Sequence, residues 1–124
     1  MKNAVALFVL SALSLSAEAS PLKMICQSTA SKNYVVQLEQ DASNDVTIVV
    51  QQIRPAAQIE FTRHDVITTV KDGTGVATTS YEAHALARNL GVSPSVTSYN
   101  GRITHIFLTL SNNLAQWNEP LSCR

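Results

Sequence analysis

The sequence predicts a mainly β fold: a small antiparallel β-barrel or sandwich with one short helix, its two ends joined by a disulfide. Two observations lead to this prediction. From Lys23 onward, β-branched and aromatic residues alternate with polar ones, and turn residues recur about every ten positions, which is typical of all-β domains. The chain also has only two cysteines, Cys26 and Cys123, placed near the two ends of that region.

The N-terminal segment has the composition of a secretory signal peptide. Lys2 precedes an apolar run over residues 4–15, and the small-residue triplet 17–19 offers a cleavage site before Ser20. We therefore expect residues 1–19 to be removed after export. The short leader with one lysine is typical of bacteria and indicates a periplasmic or secreted product.

Residues 20–124 are expected to form a single β-rich domain. Because an exported chain is oxidised, a disulfide between Cys26 and Cys123 is favoured over two free thiols. Lysine and arginine total nine, as do aspartate and glutamate, and no segment clusters the cations, which argues against nucleic acid as a partner. No later segment reaches the roughly 20 apolar residues of a membrane-spanning helix, so stable membrane insertion is not expected.

Hairpins are predicted along the first part of the chain. The alternating residues Tyr34, Val36 and Leu38 precede a turn at residues 41–45. A matching strand follows the turn, and a third strand follows Pro55; their inward residues are Val46, Ile48, Val50, Ala57, Ile59 and Phe61. His64 and Asp65 are expected to turn the chain. Residues 66–71 and 76–79 then flank Asp72-Gly73-Thr74-Gly75, whose glycines are expected to supply positive φ angles for a second hairpin.

The clearest turn signal is Asn100-Gly101, because a type I′ turn needs positive φ at both central residues. A regular register from this turn pairs Tyr99 with Arg102, Ser98 with Ile103, and Val96 with His105. It also places Ile103 and Phe107 on one face of the second strand and the apolar residues Ile106, Leu108 and Leu110 on the other. Apolar residues on both faces predict a central strand.

One segment departs from the β pattern. After Ser80, a suitable N-cap, apolar residues recur at helical spacing up to Gly91, which suits a helix C-terminus. These apolar residues are Ala83, Leu86, Ala87 and Leu90. The spacing predicts a short helix. Beyond it, strands are expected at residues 114–117 and 121–123, the second carrying Cys123 beside the first strand, with Trp117 in the core.

Three histidines are the candidates for catalysis or metal binding, since a base near neutral pH or a metal ligand is most often histidine. His64, His84 and His105 lie far apart in the sequence and form no recognised metal motif. Asp65 and Glu82 are the acids that would support such a site. A pair of glutamates for glycoside hydrolysis could be drawn from Glu39, Glu60, Glu82 and Glu119, although most of these are expected to face solvent.

Tyr99 and Arg102 flank the Asn-Gly tip and are the candidate binding residues, because tyrosine and arginine recur in interface hot spots. The same pair can instead simply stabilise the hairpin. The stretch Tyr99-Asn100-Gly101-Arg102, in a small exported β domain with a cysteine near each end, resembles the periplasmic inhibitors of C-type lysozyme. That resemblance implies a loop that enters an enzyme's cleft. The Trp-x-Lys-Gly segment of those inhibitors is absent, since residues 107–110 read Phe-Leu-Thr-Leu, and no functional residue is transferred.

The sequence therefore favours a binding or interaction module for a protein or envelope component, with an inhibitor-like mode as one form of it, over an enzyme. We expect no catalytic residue, cofactor or metal, and the oligomeric state is open. The alternative is a small periplasmic hydrolase or metal-dependent enzyme using His64, His84 and His105. A purely structural role is the third possibility.

Overall fold

The computed structural model describes residues 22–124. The predicted signal peptide and its cleavage site lie outside the described residues. In chain order, the strands are β1 (Leu22–Ser28), β2 (Tyr34–Gln40), β3 (Val46–Gln52), β4 (Ala57–Phe61), β5 (Val66–Lys71), β6 (Val76–Tyr81), β7 (Gly91–Tyr99), β8 (Arg102–Ser111), β9 (Gln116–Glu119) and β10 (Leu121–Cys123). A 3₁₀ helix, Arg63–Asp65, lies between β4 and β5.

Within residues 22–124, the strands form two antiparallel sheets of five strands each. Sheet one has the order β10-β1-β2-β3-β4, and sheet two has the order β5-β6-β7-β8-β9. The 3₁₀ helix connects the sheets at the turn predicted around His64; Thr62 caps it, and the Asp65 carboxylate accepts a hydrogen bond of 2.7 Å from the Thr62 amide. The mainly β, antiparallel prediction is confirmed.

The predicted hairpins of sheet one are present with their apolar faces turned inward. Val36 pairs with Val50, and Leu38 pairs with Ile48, across the β2–β3 ladder. These four side chains are buried, because the alternation of each strand points them to the same face. Phe61 at the end of β4 completes this inner face.

Both sheets contribute their inner faces to one hydrophobic core. Each buried aliphatic or aromatic side chain contributes about 1.5–3 kcal/mol relative to leaving it exposed. The core members are Cys26, Tyr34, Val36, Leu38, Ile48, Val50 and Phe61 from sheet one, Tyr81, Val92, Val96, Ile103, Ile106, Leu108 and Leu110 from sheet two, and Leu86 from the β6–β7 connection.

The predicted disulfide joins Cys26 to Cys123, 97 positions apart in the sequence. The two residues are direct neighbours in the β1–β10 ladder. Just beyond the bridge, the backbones of Ile25 and Arg124 exchange hydrogen bonds of 3.0 and 2.9 Å. The disulfide therefore closes the fold by fixing the last strand to the first.

The predicted helix over residues 80–91 is wrong. Ser80 belongs to β6 and Gly91 begins β7, and the residues between them are irregular. Ala83 forms an isolated bridge with Val92, which starts this segment as a continuation of the β ladder. In the described residues, the 3₁₀ helix Arg63–Asp65 is the only helical segment.

The backbone of this connection explains why a helix does not form. Arg88 and Asn89 adopt left-handed φ angles of 54° and 60°, which interrupt a right-handed helix. The Leu86 amide bonds to the Leu90 carbonyl at 3.2 Å, which closes a tight turn. Leu86 is nevertheless buried, so the connection places this apolar side chain in the core without helical geometry.

The β5–β6 hairpin has the predicted turn, with one correction. Gly75 has a positive φ of 88°, as expected, whereas Gly73 does not. Asp72 organises the turn by accepting hydrogen bonds from the Thr74 hydroxyl at 2.6 Å and the Thr74 amide at 2.8 Å. The hydroxyl bond, followed by the amide bond, lowers the pKa of the Asp72 carboxyl.

The last strand of sheet two begins at Gln116 rather than at the predicted Leu114, which is 95% exposed. Trp117 is half-buried and packs against the core, as expected. Within residues 22–124, no helix is long and apolar enough to cross a bilayer.

Candidate functional site

A β-bulge in β8 determines which side chains sheet two exposes. Ser98 pairs with Ile103, but Thr97 pairs with His105, so Thr104 is an extra residue in β8. The Thr104 hydroxyl donates a hydrogen bond of 3.0 Å to the Thr97 carbonyl and so helps to hold the bulge. The predicted pairing of Val96 with His105 is therefore wrong.

The bulge moves Ile103 to the face of Ile106, Leu108 and Leu110, so the predicted placement of Ile103 beside Phe107 is wrong. Ile103 and Ile106 both point into the core, although they are three positions apart, because the extra residue shifts the alternation. Phe107, which a regular strand would place on the face of Ile103, instead lies on the outer face and is 52% exposed. Strand β8 is flanked by β7 and β9 as predicted, but only its inner face is buried.

Four exposed side chains consequently line up on the outer face of sheet two: Tyr99, Arg102, His105 and Phe107. We call this set the outer row. Tyr99 pairs with Arg102, and Thr97 and Ser95, which share the face of Tyr99, pair with His105 and Phe107. The His105 and Phe107 rings stack with centroids 6.1 Å apart and planes inclined by 16°. Tyr99 is 51% exposed, so three rings and one guanidinium of the outer row are accessible to solvent.

The face around the outer row is polar but uncharged. Apart from the row, its outward strand positions carry hydroxyls, amides and two valines, and no aspartate or glutamate lies among them. By the strand pairings, these positions are Thr68, Val70, Val76, Thr78, Ser80, Ser93, Ser95, Thr97, Thr109, Ser111, Gln116 and Asn118. Among these outward positions and the outer row, Arg102 is therefore the permanently charged side chain.

A groove of about 850 Å³ adjoins one end of the outer row. It lies where β9 stops, since β9 pairs with β8 only from Leu108 to Ser111. It is lined by His105 and Phe107 of β8 and by residues of the β9–β10 corner and β1. Its lining is mainly apolar, with a few polar groups, and includes Met24, Ile106, Pro120, Leu121, Asn118 and Arg124. We call it the seam groove.

The hairpin tip that carries Tyr99 and Arg102 is held in place by the rest of the fold. Asn100 and Gly101 have φ angles of 49° and 80°, which confirms the predicted turn chemistry. The Asn100 amide bonds to the Gly75 carbonyl at 3.3 Å, and the Gln40 side chain donates to the Gly101 carbonyl at 3.1 Å. Contacts to a neighbouring hairpin and to sheet one therefore position the tip.

Glu119 does not face solvent, as most of the glutamates were expected to do, but is buried. Its carboxylate accepts hydrogen bonds from the Ser31 hydroxyl and, at 3.3 Å, from the Trp117 indole N–H. Burial raises the pKa of the nearby Tyr34 hydroxyl, a hydrogen bond with Asn33 opposes this shift, and the negative charge of Glu119 adds to it. Because Ser31 belongs to the β1–β2 loop, this network links sheet one to β9.

The three histidines occupy separate parts of the molecule. His64 is exposed on the 3₁₀ helix, and His84 lies in the β6–β7 connection, 3.1 Å from the Glu82 carboxylate. His105 belongs to the outer row. In the described part of the chain, no three histidine, cysteine, aspartate or glutamate side chains come together as a metal-binding group. Both cysteines are in the disulfide, so neither offers a thiol nucleophile.

The sequence named Tyr99 and Arg102 as candidates, but it did not place His105 and Phe107 on the same face as these two residues. A regular register assigns His105 to the wrong face, and the extra residue Thr104 has no distinct sequence signature.

No family model, curated protein or solved structure matches this chain.

Proposed function

We propose that this protein is a binding module that recognises a protein or envelope component through the outer row and the adjoining seam groove. One observation carries the proposal: two aromatic rings, Tyr99 at the end of β7 and Phe107 inside β8, are half-exposed beside a guanidinium and an apolar cleft. Full burial of a phenylalanine side chain contributes about 1.5–3 kcal/mol. Because Phe107 is only half-buried, a partner that covers the rest of the ring would gain on the order of 1 kcal/mol of binding free energy.

The composition of this surface matches that of binding interfaces. Tyrosine, phenylalanine and arginine are enriched at interface cores, and a few such residues supply most of the binding energy. Tyr99 and Arg102 stand at the exposed hairpin tip, while Phe107 borders the groove, so a partner can contact both regions together. An inhibitor-like mode, with the tip inserted into a partner's cleft, is compatible with this exposure.

The proposal places the protein outside the cytoplasm, in the periplasm or secreted from a bacterium. The disulfide supports this, since such bonds persist in oxidising compartments. The predicted signal peptide is the second argument. For the architecture, we propose a sandwich rather than a closed barrel, because two separate strand series share one core between their inner faces.

The hydrolase alternative has no comparable support. It requires His64, His84 and His105 to converge, and these lie on a 3₁₀ helix, a connection and an outer strand face. The binding proposal uses His105 only as a stacking partner of Phe107.

The proposal is tested by affinity capture with matched variants. The oxidised domain is immobilised and exposed to a periplasmic and envelope extract, alongside Phe107→Ser, Tyr99→Ala and Ile25→Ser. Ile25 is the control because it is 45% exposed, on the outer face of sheet one. Circular dichroism verifies that each variant is folded.

We expect the wild type and Ile25→Ser to retain the same species, and the two outer-row variants to retain at least about ten-fold less, as for hot-spot residues. Equal retention by all four proteins, or a loss confined to Ile25→Ser, would contradict the proposed surface.

A further inference from the structure

Strand β5 is exposed along its whole length. All six residues of Val66–Lys71 are exposed, including Ile67 at 56% and Val70 at 63%. In the described residues, β6 is the only strand paired with β5, which leaves the other backbone edge of β5 open. Strand β5 is thus the edge strand of its sheet and buries none of its own residues, which makes it a candidate for an intermolecular contact.

The other sheet edges offer less to a partner strand. Edge strands β9 and β10 have four and three residues, and β10 is fixed by the disulfide. Edge strand β4 buries Phe61 and exposes Glu60, a charge that discourages pairing. Strand β5 has six residues, most of them β-branched, and its only charge is Lys71 at the end. Its weak protection is a bulge between Val66 and Thr68.

The backbone of β5 shows which groups are free. The Asp72 amide bonds to the Val76 carbonyl at 3.0 Å, so Asp72 directs its hydrogen-bonding groups toward β6. Because these groups alternate along a strand, Val70 and Thr68 also face β6, whereas Thr69 and Lys71 direct their amides and carbonyls outward. The regular part of the free edge therefore centres on Thr69.

We propose that a second copy of this chain pairs with β5 through the same edge, antiparallel about a two-fold axis at Thr69. A two-fold contact requires a self-complementary surface, and this edge meets that requirement. Thr69 faces the partner's Thr69 and exchanges both backbone hydrogen bonds with it. Val70 then lies opposite the partner's Thr68, a β-branched pair of a kind that stabilises sheets.

The charges on the edge are compatible with this pairing. The two Lys71 residues lie on opposite sides of the axis, about 13 Å apart along the strands, which exceeds the screening length of about 8 Å at physiological salt. Each Lys71 lies beside the beginning of the partner's β5, which follows an acidic residue, the partner's Asp65. The centre of the contact is uncharged, so a second copy is the occupant that these residues favour.

The test is sedimentation equilibrium of the oxidised domain from about 10 μM to 1 mM. The variants are chosen to distinguish a loss of pairing at the β5 edge from a loss of folding. Thr69→Pro removes an outward amide and leaves the β6 ladder bonds in place, whereas Thr69→Ala keeps that amide. A second pair, Val70→Lys and its control Ile53→Lys, places a charge on the edge or on an exposed turn. Circular dichroism and thermal unfolding check the fold of each variant.

We expect a monomer–dimer equilibrium for the wild type, Thr69→Ala and Ile53→Lys. Thr69→Pro and Val70→Lys are expected to weaken the dimer at least ten-fold while staying folded. If Thr69→Pro fails to fold, Val70→Lys decides the outcome. A wild type that is monomeric at 1 mM, an equal dimer in Val70→Lys and Ile53→Lys, or open-ended oligomers instead of dimers would overturn the proposal.

Discussion

Removal of the disulfide is the perturbation whose effect the structure defines best. Replacing both Cys26 and Cys123 with alanine leaves the β1–β10 ladder possible but no longer ties the chain ends together. The bridge spans 97 positions, and a crosslink over a loop of about 100 residues stabilises by roughly 4.7 kcal/mol in the chain-entropy model. This is a large share of the 5–15 kcal/mol that a typical domain has in total.

The loss of the buried Cys26 sulfur adds a small term, since alanine leaves a gap of less than one methylene-sized group. We therefore expect the free energy of unfolding to fall by about 3–5 kcal/mol, and the melting temperature by on the order of 15–30 °C. Guanidinium titration, followed by tryptophan fluorescence and circular dichroism, measures the change. Reduction of the wild type under the same conditions should give a similar loss.

The reasoning would be refuted if the double variant lost less than about 1 kcal/mol. That outcome would mean that the ten-strand fold is nearly as stable without the disulfide, and that another contribution compensates for the lost chain-entropy stabilisation. The single variant Cys123→Ala distinguishes the loss of loop closure from the loss of the packed Cys26 sulfur, since it leaves Cys26 buried as a free thiol. Its loss should match that of the double variant to within about 1 kcal/mol if loop closure dominates.

Two further stability predictions follow from local geometry. Burial raises the pKa values of Tyr34 and Tyr81, with smaller contributions from Glu119 and Asp65 respectively, so above pH 10 the unfolded chain loses these protons before the folded one does. The free energy of unfolding is therefore at its full value below pH 10 and falls as the pH rises through the folded-state pKa values, by up to about 1.4 kcal/mol per pH unit for each tyrosine. Urea titrations from pH 9 to 11.5 should show this slope, and Tyr34→Phe should reduce it. An unchanged slope in Tyr34→Phe would count against the burial argument. At the hairpin tip, Gly101→Ala should lower the free energy of unfolding by about 1–2 kcal/mol, because alanine is strained at a φ of 80°. No atom lies near enough to the added Cβ to clash, so the strained φ is the whole cost. Gly73→Ala, without a positive φ, should be neutral or slightly stabilising by thermal unfolding, and equal costs at the two sites would contradict the assignment.

The sequence was sufficient for features that depend on local chemistry. The β2–β3 ladder follows from strict alternation, the Asn100-Gly101 turn from its φ requirement, and the bond between Cys26 and Cys123 from the count of two cysteines. Each of these has one dominant physical cause that acts over a few residues or has no competitor.

Features that depend on competition between local and long-range contacts were not predictable. Helical spacing from Ala83 to Leu90 indicated a helix, but a helix of this length is marginal by itself. The β-bridge between Ala83 and Val92 and the burial of Leu86 stabilise the irregular conformation instead, and both form only in the folded protein. The β8 bulge is similar, since Thr104 becomes an extra residue because both Ile103 and Ile106 gain burial in the core.

That bulge also connects fold to proposed function. If β8 were regular, His105 and Phe107 would share the face of the buried Ile103, and the outer row would be reduced to Tyr99 and Arg102. The extra residue puts all four side chains on one face while both isoleucines remain buried. The proposed binding surface is therefore a consequence of how the core packs.

The most direct test of the binding surface is site-specific photo-crosslinking in the cell envelope. A benzophenone amino acid replaces Phe107 in one variant and the exposed Gln37, on the outer face of sheet one, in another. Illumination should give a discrete adduct with a partner from position 107, and none from position 37. Adducts of equal yield from both positions, or an adduct from position 37 alone, would contradict the assignment of the outer row as the contact surface.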